Sequence, residues 1–171
     1  CVKRREVKQR ASPPFITSTL QQEAWRKLRF APKKTMLISQ QLYEGLPLEN
    51  NDSIGLITYM RTDSTYVASS AVEEIRTYIR EHFEQAYLPD KPKTYTRKIK
   101  GAQEAHEAIR PTSINRQPKQ LKPNLTADQF KLYDLIWSRM LASQMEDALS
   151  DSTSVDIEAR PDHASSSEDK S

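Results

Sequence analysis

Apolar side chains recur at helical spacing along four segments of the chain, and residues that start or stop helices bound each segment. The apolar positions of the four segments are, in order, Leu20, Ala24, Trp25 and Leu28; Ile38 and Leu42; Val72, Ile75, Ile79, Phe83 and Ala86; and Phe130, Tyr133, Trp137, Met140 and Leu141. This spacing predicts four long helices whose apolar faces form a core. We therefore interpret the Trp, Phe and Met side chains as core residues rather than as part of a cofactor site.

The ends of these helices are predicted from capping residues and prolines. Pro13-Pro14 blocks a helix start before Thr17, and the second helix is expected to begin near Pro32 and end at Gly45. Capping boxes can form from Ser18 with Gln21 or Thr19 with Gln22 in the first helix, Ser70 with Glu73 in the third, which Pro89 stops, and Thr126 with Gln129 in the fourth.

Shorter segments between and outside the helices predict strands and loops. The apolar run from Ile54 to Tyr59 is strand-like, and residues 89–125 form a Pro- and Lys-rich loop with a short helical candidate over 102–109. Residues 1–12 combine Val2 and Val7 with a dense basic run, which is typical of an exposed strand or arm. Near the other end, Thr153, Val155, Ile157 and Ala159 alternate with polar residues and predict a half-buried strand.

Together these elements predict a mainly α fold. Neither terminal strand has a sheet of its own, so we expect a helical domain inserted between short strands of a neighbouring β-rich domain. The expected boundaries are a strand segment over 1–16, the helical domain over 17–146, and a strand segment with an acidic, Ser-rich tail over 147–171.

Composition excludes several classes of protein. Only 36% of the 171 residues are hydrophobic and the mean hydropathy is −0.77, so no apolar run is long enough to predict a membrane span. The single cysteine excludes an internal disulfide, and the chain opens without a secretory leader. We therefore expect a cytoplasmic location and no membrane partner.

The charge of the chain is unevenly distributed. The formal net charge is only +3, but residues 1–145 contain 24 basic and 15 acidic side chains, an excess of +9, whereas the remainder is acidic. A body with this excess can attract polyanions such as nucleic acid. A lysine-rich solvated surface explains the charge equally well, so charge alone does not decide the function.

Two polar segments are candidates for chemistry. Thr58 to Ser64 places a phenol, a guanidinium, a carboxylate and hydroxyls directly after the strand-like run, and His106 to Pro111 places an imidazole in the long loop. The plain alternative for the first segment is a turn with locally satisfied side chains. The three histidines and one cysteine show no zinc spacing, no glycine-rich phosphate loop occurs, and Asp156 with Glu158 fits an exposed strand face better than a metal site.

Four ordered segments resemble the type IA DNA topoisomerases. They are Pro14-Phe-Ile-Thr-Ser-Thr-Leu-Gln-Gln-Glu-Ala24, Gln41-Leu-Tyr-Glu-Gly45, Gly55-Leu-Ile-Thr-Tyr-Met-Arg-Thr-Asp-Ser64 and Ala105-His-Glu-Ala-Ile-Arg-Pro111. They cover most of residues 13–145, and Met60 favours the bacterial topoisomerase I branch over the topoisomerase III branch. The tail after Arg160 matches no motif of that family.

The resemblance implies a mechanism for the matching residues. Tyr59 would attack a single-stranded DNA phosphodiester to form a 5′-phosphotyrosyl link, and reversal after strand passage would relax negative supercoils without ATP. The catalytic residues would be Tyr59, Arg61, Asp63 and His106. Thr58, Thr62, Ser64 and Arg110 would be weaker candidates for phosphate contacts, and Arg110 fits a structural ion pair equally well.

The resemblance also implies partners that this chain lacks. Type IA enzymes bind Mg²⁺ through the acidic residues of a Toprim domain, and no such cluster occurs here. We therefore expect half of an active site, with no metal ligand in this chain, and with Toprim and arch domains supplied by the same parent chain. The isolated chain is expected to be inactive, and the parent to be nucleoid-associated. The alternatives are a non-catalytic helical module that binds single-stranded DNA and a protein-interaction domain.

Overall fold

The chain divides into two units in the computed structural model, which describes residues 2–47, 53–95 and 106–158. The larger unit spans Arg10–Asp147, and the smaller unit combines residues 1–9 with residues 148–171. The helical domain expected from sequence, 17–146, begins seven residues later and ends one residue earlier than the larger unit.

The larger unit is built from helices. They are α1 (Thr17–Leu28), α2 (Pro32–Glu44), α3 (Ser69–His82), the short α4 (Pro118–Leu121) and α5 (Ala127–Ser143), with 3₁₀ turns at Gln85–Tyr87 and Lys122–Asn124. Four of these helices are long, which confirms the predicted mainly α fold. Within the described ranges, no helix combines the length and apolar character that crossing a bilayer requires.

Two clusters of buried side chains form the core of this unit. The first joins α1, α2 and α5 through Leu20, Ala24, Ile38, Leu42, Leu132 and Ile136, and the motif residues Phe15, Leu56, Ile57 and Ile109 are part of it. The second packs α3 against the end of α5 through Ile75, Ile79, Met140 and Leu141. Most of the predicted apolar positions therefore face inward, as burial of apolar area requires, but Trp25, Phe83 and Ala86 are exposed, so the interpretation of Trp25 and Phe83 as core residues is wrong.

Local sequence predicts both ends of α2 and the start of α5 correctly. Pro32 occupies the first turn of α2, and Gly45, with φ of 103°, ends that helix in a conformation that glycine adopts without strain. Thr126 and Gln129 form the predicted capping box of α5, with the Gln129 N–H donating to the Thr126 hydroxyl.

Helix α1 starts at Thr17 as predicted, but the caps of α1 and α3 differ from the prediction. Helix α1 begins at Thr17, after Ile16, and Thr19 bonds back to the Ile16 N–H instead of pairing with Gln22. Helix α3 begins at Ser69, so the predicted Ser70–Glu73 capping box is wrong. Its first turn is instead capped by a carboxylate from a distant segment, described below.

Helix α3 also ends earlier than predicted. The short helix predicted over 102–109 is absent from residues 106–109, the described part of that segment. Helix α3 stops at His82, so Phe83 is its exposed cap residue rather than a core position. Residues 106–109 are extended because the backbone N–H groups of Ala108 and Ile109 donate to the carbonyls of Tyr66 and Phe15. Residues 102–105 of that predicted helix lie outside the described part of the chain.

The strand-like run before Tyr59 is only partly a strand. Strand β3 (Ser53–Ile54) pairs with β2 (Leu46–Pro47), and an isolated bridge then joins Ile57 to Pro111. Leu56 and Ile57 are buried. The run therefore holds the following residues against the core without forming a longer sheet.

The smaller unit is an antiparallel ribbon of β1 (Val2–Gln9) and β4 (Ala148–Val155). Val2 lies opposite Val155, and most side chains of both strands are exposed. The expectation of a half-buried strand from Thr153 to Ala159 is wrong in position and burial, because β4 starts earlier and Ile157 is exposed beyond its end. Ala159 lies outside the described residues. Two-stranded ribbons are marginally stable alone in water.

Candidate active site

The four motif segments found in the sequence are joined directly by backbone hydrogen bonds. The Ile109 N–H donates to the Phe15 carbonyl at 2.8 Å, and the Leu56 N–H donates to the Leu42 carbonyl at 2.7 Å. The Thr58 N–H donates to the Arg110 carbonyl at 2.9 Å. Segments that are far apart in sequence therefore form one platform, with 106–112 at its centre.

Thr58 fastens the first polar segment to the second. Its hydroxyl donates to the Ala108 carbonyl at 2.6 Å, and it accepts from the Arg110 N–H at 3.0 Å. Together with the bond from its own N–H, these contacts join Thr58 to the 108–110 backbone. This arrangement fixes the residue before Tyr59 relative to the segment that begins at His106.

Thr17 holds the other side of Tyr59. Its hydroxyl lies 2.8 Å from the Met60 carbonyl and 3.0 Å from the Thr62 carbonyl, and accepts from the Thr62 N–H at 2.9 Å. The Thr17 N–H donates to the Thr62 carbonyl as well. The first turn of α1 thereby supports the loop that contains Tyr59 and Arg61.

Tyr59 projects from this platform into an open depression of about 250 Å³. The lining residues are Tyr43, Thr58, Tyr59, Thr62, His106 and Glu107. The Tyr59 side chain is 43% exposed and packs edge-on against Tyr43, with ring centroids 5.4 Å apart and an interplanar angle of 66°. An exposed phenol beside an imidazole can approach a phosphodiester without any movement of the core.

A second depression of about 430 Å³ adjoins the first and shares Thr62 and His106 with it. Its lining residues are Ile16, Thr17, Ser18, Gln21, Arg61, Thr62, Asp63 and His106. Arg61 and Asp63 are exposed on the loop that follows Tyr59. The two depressions together bring the four predicted catalytic residues to neighbouring surfaces.

Asp63 and His106 line the same depression. No hydrogen bond or ion pair joins these two described side chains, and His106 is exposed. The predicted orientation of His106 by Asp63 therefore stays a prediction.

The weaker candidates for phosphate contacts all have partners inside the platform. The Thr62 hydroxyl accepts from the Ser64 N–H at 3.1 Å, and the Ser64 hydroxyl accepts from the Tyr66 N–H at 3.1 Å. Arg110 forms an ion pair with Glu107 at 2.6 Å, in agreement with the structural alternative considered from sequence. Contacts from these side chains to phosphate stay a prediction.

Glu107 has a structural role that the sequence analysis missed. One carboxylate oxygen accepts from the Ala68 N–H at 2.7 Å, and the other accepts from Arg110. The carboxylate thus caps the N-terminus of α3, and its negative charge interacts favourably with the positive end of the helix dipole. Glu107 lies within the motif segment 105–111, but only the folded chain shows that its partner is the Ala68 N–H.

Tyr43, Ser18 and Gln21 also line the two depressions, although no role was predicted for them there. All three lie in segments that resemble family motifs, which was the available signal. Their proximity to Tyr59 and His106 depends on tertiary contacts between α1, α2 and the central platform. Periodicity within one helix does not reveal such contacts.

The described residues contain no group of three or more His, Cys, Asp or Glu side chains that could hold a metal ion. The acidic residues that line the two depressions are Glu107, which is paired with Arg110, and Asp63. These residues do not fit a Mg²⁺ site, since Mg²⁺ requires several oxygen ligands in octahedral geometry.

Known proteins are similar to this chain in sequence and in fold. A family model described as DNA topoisomerase matches residues 1–171. The "DNA topoisomerase 1" of Xylella fastidiosa (strain Temecula1) is 54% identical over 162 residues, which are 95% of this chain and 20% of that protein. The "DNA topoisomerase 1" of Rickettsia bellii is 53% identical over 150 residues, which are 88% of this chain and 19% of that protein.

The solved structure of full-length topoisomerase I from Thermotoga maritima has a similar fold, with a TM-score of 0.75 and 45% identity, over 90% of this chain and 24% of that one. The chain spans about a fifth of the length of the relatives named above. The family model covers every residue, and the four motif segments together line the two adjoining depressions. The chain therefore belongs to the DNA topoisomerase family.

Proposed function

We propose that this chain is the nucleophile-bearing part of a type IA DNA topoisomerase, which cleaves and rejoins single-stranded DNA and thereby relaxes negative supercoils without ATP. The full-length protein that contains it is called the parent enzyme below. The relatives are named DNA topoisomerase 1 and are about five times longer, so the parent enzyme would include further domains.

The reaction is a transesterification at phosphorus. A bond forms between the Tyr59 phenolic oxygen and the phosphorus while the bond from phosphorus to the 3′ oxygen breaks, and the phenolic proton is transferred to the departing 3′ oxygen. The products are a 5′-phosphotyrosyl link and a free 3′-hydroxyl. Attack by that hydroxyl reverses each step, so no external energy source is consumed.

Arg61 supplies the positive charge that this chemistry needs, and His106 supplies a hydrogen-bond donor. A phenol has an ordinary pKa near ~10 and is a weak nucleophile at neutral pH without a cationic neighbourhood. The Arg61 guanidinium can bind two phosphate oxygens and stabilise the charge that develops in the transition state. His106 can donate a proton or a hydrogen bond to the same phosphate, and Asp63 would orient that imidazole once DNA fills the depression.

Mg²⁺ dependence is assigned to the parent enzyme and not to this chain. Its ligands would lie in a Toprim domain, with the arch domain completing the strands of the smaller unit. The described residues of this chain do not fit that metal. The isolated chain would bind single-stranded DNA without relaxing it, and the parent enzyme would work at the bacterial nucleoid in the cytoplasm.

One observation supports this proposal above the others. Tyr59 and His106 come from different motif segments, yet their side chains line one open depression, which adjoins the depression lined by Arg61 and Asp63. A tyrosine that served only the core would be buried, as Tyr133 is. A tyrosine that served only to stack on bases would not require the imidazole beside it.

The experiment traps the covalent intermediate on end-labelled single strands. The parent enzyme is mixed with an oligonucleotide labelled at either its 3′ or its 5′ end, denatured, and separated from free DNA. A 5′-phosphotyrosyl link leaves the 3′-labelled piece attached to protein and releases the 5′-labelled piece. The opposite pattern would contradict the proposed chemistry.

Binding without any adduct would instead favour the non-catalytic DNA-binding module. The same assay with the isolated 171-residue chain is the internal control, and it should show no adduct. Supercoiled plasmid in place of the oligonucleotide should be relaxed by the parent enzyme and left unchanged by the isolated chain.

A further inference from the structure

Tyr43 lies beside the proposed nucleophile. The two rings form an edge-to-face pair, the favoured arrangement for aromatic side chains, and both line the depression that contains His106. On the basis of the function proposed above, we propose that Tyr43 is a positioning residue. Its ring holds the Tyr59 ring in the orientation from which the hydroxyl attacks DNA.

The backbone around Tyr59 is fixed, but its side chain is not. Thr58 is bonded to the 108–110 backbone, and Met60 is buried with its carbonyl bonded to Thr17. The Tyr59 hydroxyl has no hydrogen-bond partner within the described part of the chain. Rotation about χ1 of Tyr59 would move that hydroxyl out of the depression. The side chain can occupy the other staggered χ1 rotamers unless a neighbouring residue excludes them.

Tyr43 is well placed to exclude those alternatives because its own backbone is anchored. It lies in the last turn of α2, directly after Leu42, which is fully buried and accepts the Leu56 N–H. Gly55 packs so closely that a Cβ there would lie 2.6 Å from the Tyr43 carbonyl oxygen. The ring therefore projects from a rigid element that is bonded to the segment leading into Tyr59.

Core packing does not account for this aromatic side chain. The Tyr43 side chain is 42% exposed, and its ring contact among the described residues is with Tyr59. Its hydroxyl has no hydrogen-bond partner in that part of the chain. The feature that distinguishes the position is the edge contact with the nucleophile.

The test separates the rate of attack from the affinity for DNA. The parent enzyme is mixed with saturating single-stranded oligonucleotide, and the single-turnover rate of adduct formation is measured beside the Kd. Because an aromatic pair contributes a factor of roughly two to ten, Tyr43→Ala should slow the saturated rate by about that factor and leave the Kd unchanged. Tyr43→Phe keeps the ring edge and should retain the rate.

Two further variants keep the test decisive. Tyr43→Leu preserves apolar volume without a ring and should be as slow as Tyr43→Ala, which covers the case in which the smaller residue unfolds the helix end. Tyr87→Ala is the matched control, since Tyr87 is also exposed but pairs with Phe83 instead of Tyr59. It should leave both the rate and the Kd unchanged.

Three results would overturn the inference. They are a wild-type rate in both Tyr43→Ala and Tyr43→Leu, a Tyr43→Phe variant as slow as Tyr43→Ala, or a raised Kd at an unchanged saturated rate, which would mean that Tyr43 stacks on a base. Tyr59→Phe in the same assay tests the proposed function separately. If Tyr59→Phe still forms the adduct, that function fails regardless of Tyr43; if only the Tyr43 variants behave as wild type, this inference alone fails.

Discussion

Thr17 and Thr62 hold each other through a reciprocal pair of hydrogen bonds across 45 residues of sequence. The Thr17 N–H donates to the Thr62 carbonyl at 2.9 Å, and the Thr62 N–H donates to the Thr17 hydroxyl at 2.9 Å. The same hydroxyl can donate to the Met60 carbonyl at 2.8 Å. The first turn of α1 thus helps to support the loop that contains Tyr59 and Arg61.

Replacing Thr17 with Val should destabilise the chain. Val keeps the branched shape but leaves the Thr62 N–H and the Met60 carbonyl without the hydroxyl, in a region where Thr62 is buried. Leaving buried groups unpaired costs about 1–3 kcal/mol, so the free energy of unfolding in urea should fall by that amount. Thr17→Ser should restore most of it, whereas Ser18→Ala, at an exposed neighbour, should change little. Equal stability of Thr17→Val and wild type would contradict this account of the loop.

Glu107 should prove more important for α3 than the residues predicted to cap it. Glu107→Ala removes the acceptor for the Ala68 N–H and the ion-pair partner of Arg110, whose Nε already has no partner. We expect a loss of about 1–3 kcal/mol in the free energy of unfolding, and a smaller loss for Glu107→Gln, which keeps the cap. Glu73→Ala is the control on α3. A larger effect from Glu73→Ala than from Glu107→Ala would restore the capping box that sequence predicted.

The fold could be predicted where local interactions set it. The Thr126–Gln129 capping box, Pro32 and Gly45 act within one helix, so their spacing in sequence determines their partners. The start of α3 was missed because its cap, Glu107, comes from a segment 39 residues away. A capping pattern such as Ser70 with Glu73 indicates a local interaction that the segment could form. In the folded chain, the long-range hydrogen bond from Ala68 to Glu107 caps the helix instead.

The residues of the candidate site were proposed from sequence, but their geometry could not be. The identities of Tyr59, Arg61 and His106 followed from the family resemblance. Their shared surface depends on backbone hydrogen bonds that join residues 106–112 to Phe15 on one side and to residues 56–58 on the other. These hydrogen bonds hold residues 106–109 extended, where part of a short helix was expected. The contact of Tyr43 with Tyr59 has the same origin, because α2 must first dock on the segment before Tyr59.

Stability should fall at alkaline pH because of buried tyrosines. Burial raises the pKa of Tyr133 well above its ordinary value, and its hydroxyl donates to the Arg116 carbonyl at 2.7 Å. The unfolded chain loses this proton near pH ~10 while the folded chain keeps it, so the stabilisation is complete below that pH and declines above it by up to about 1.4 kcal/mol per pH unit.

Tyr133→Phe should therefore be less stable than wild type at pH 8 but show a shallower decline between about pH 9.5 and 11. Urea denaturation at a series of pH values measures both effects. Tyr87→Phe, at an exposed tyrosine, should leave the slope unchanged. A slope that Tyr133→Phe does not alter would assign the alkaline decline to other groups.

The isolated chain should bind single-stranded DNA weakly and in a salt-dependent manner. The +9 excess over residues 1–145 makes counterion release the main contribution, which predicts a slope of log K against log salt of about −0.7 per phosphate contacted. Arg61→Ala should reduce the magnitude of that slope by about 0.7, whereas Arg80→Ala, on an exposed position of α3, should not. Affinity that is constant between roughly 50 and 200 mM salt would rule out phosphate-directed binding.

The identity of the nucleophile is tested most directly by the yield of covalent adduct from Tyr59→Phe in the parent enzyme. The change removes one exposed hydroxyl that has no partner among the described residues, so the fold and the Kd for a single-stranded oligonucleotide should stay as in wild type. The adduct should disappear completely while binding remains. An adduct that still forms in Tyr59→Phe would show that the nucleophile is another residue.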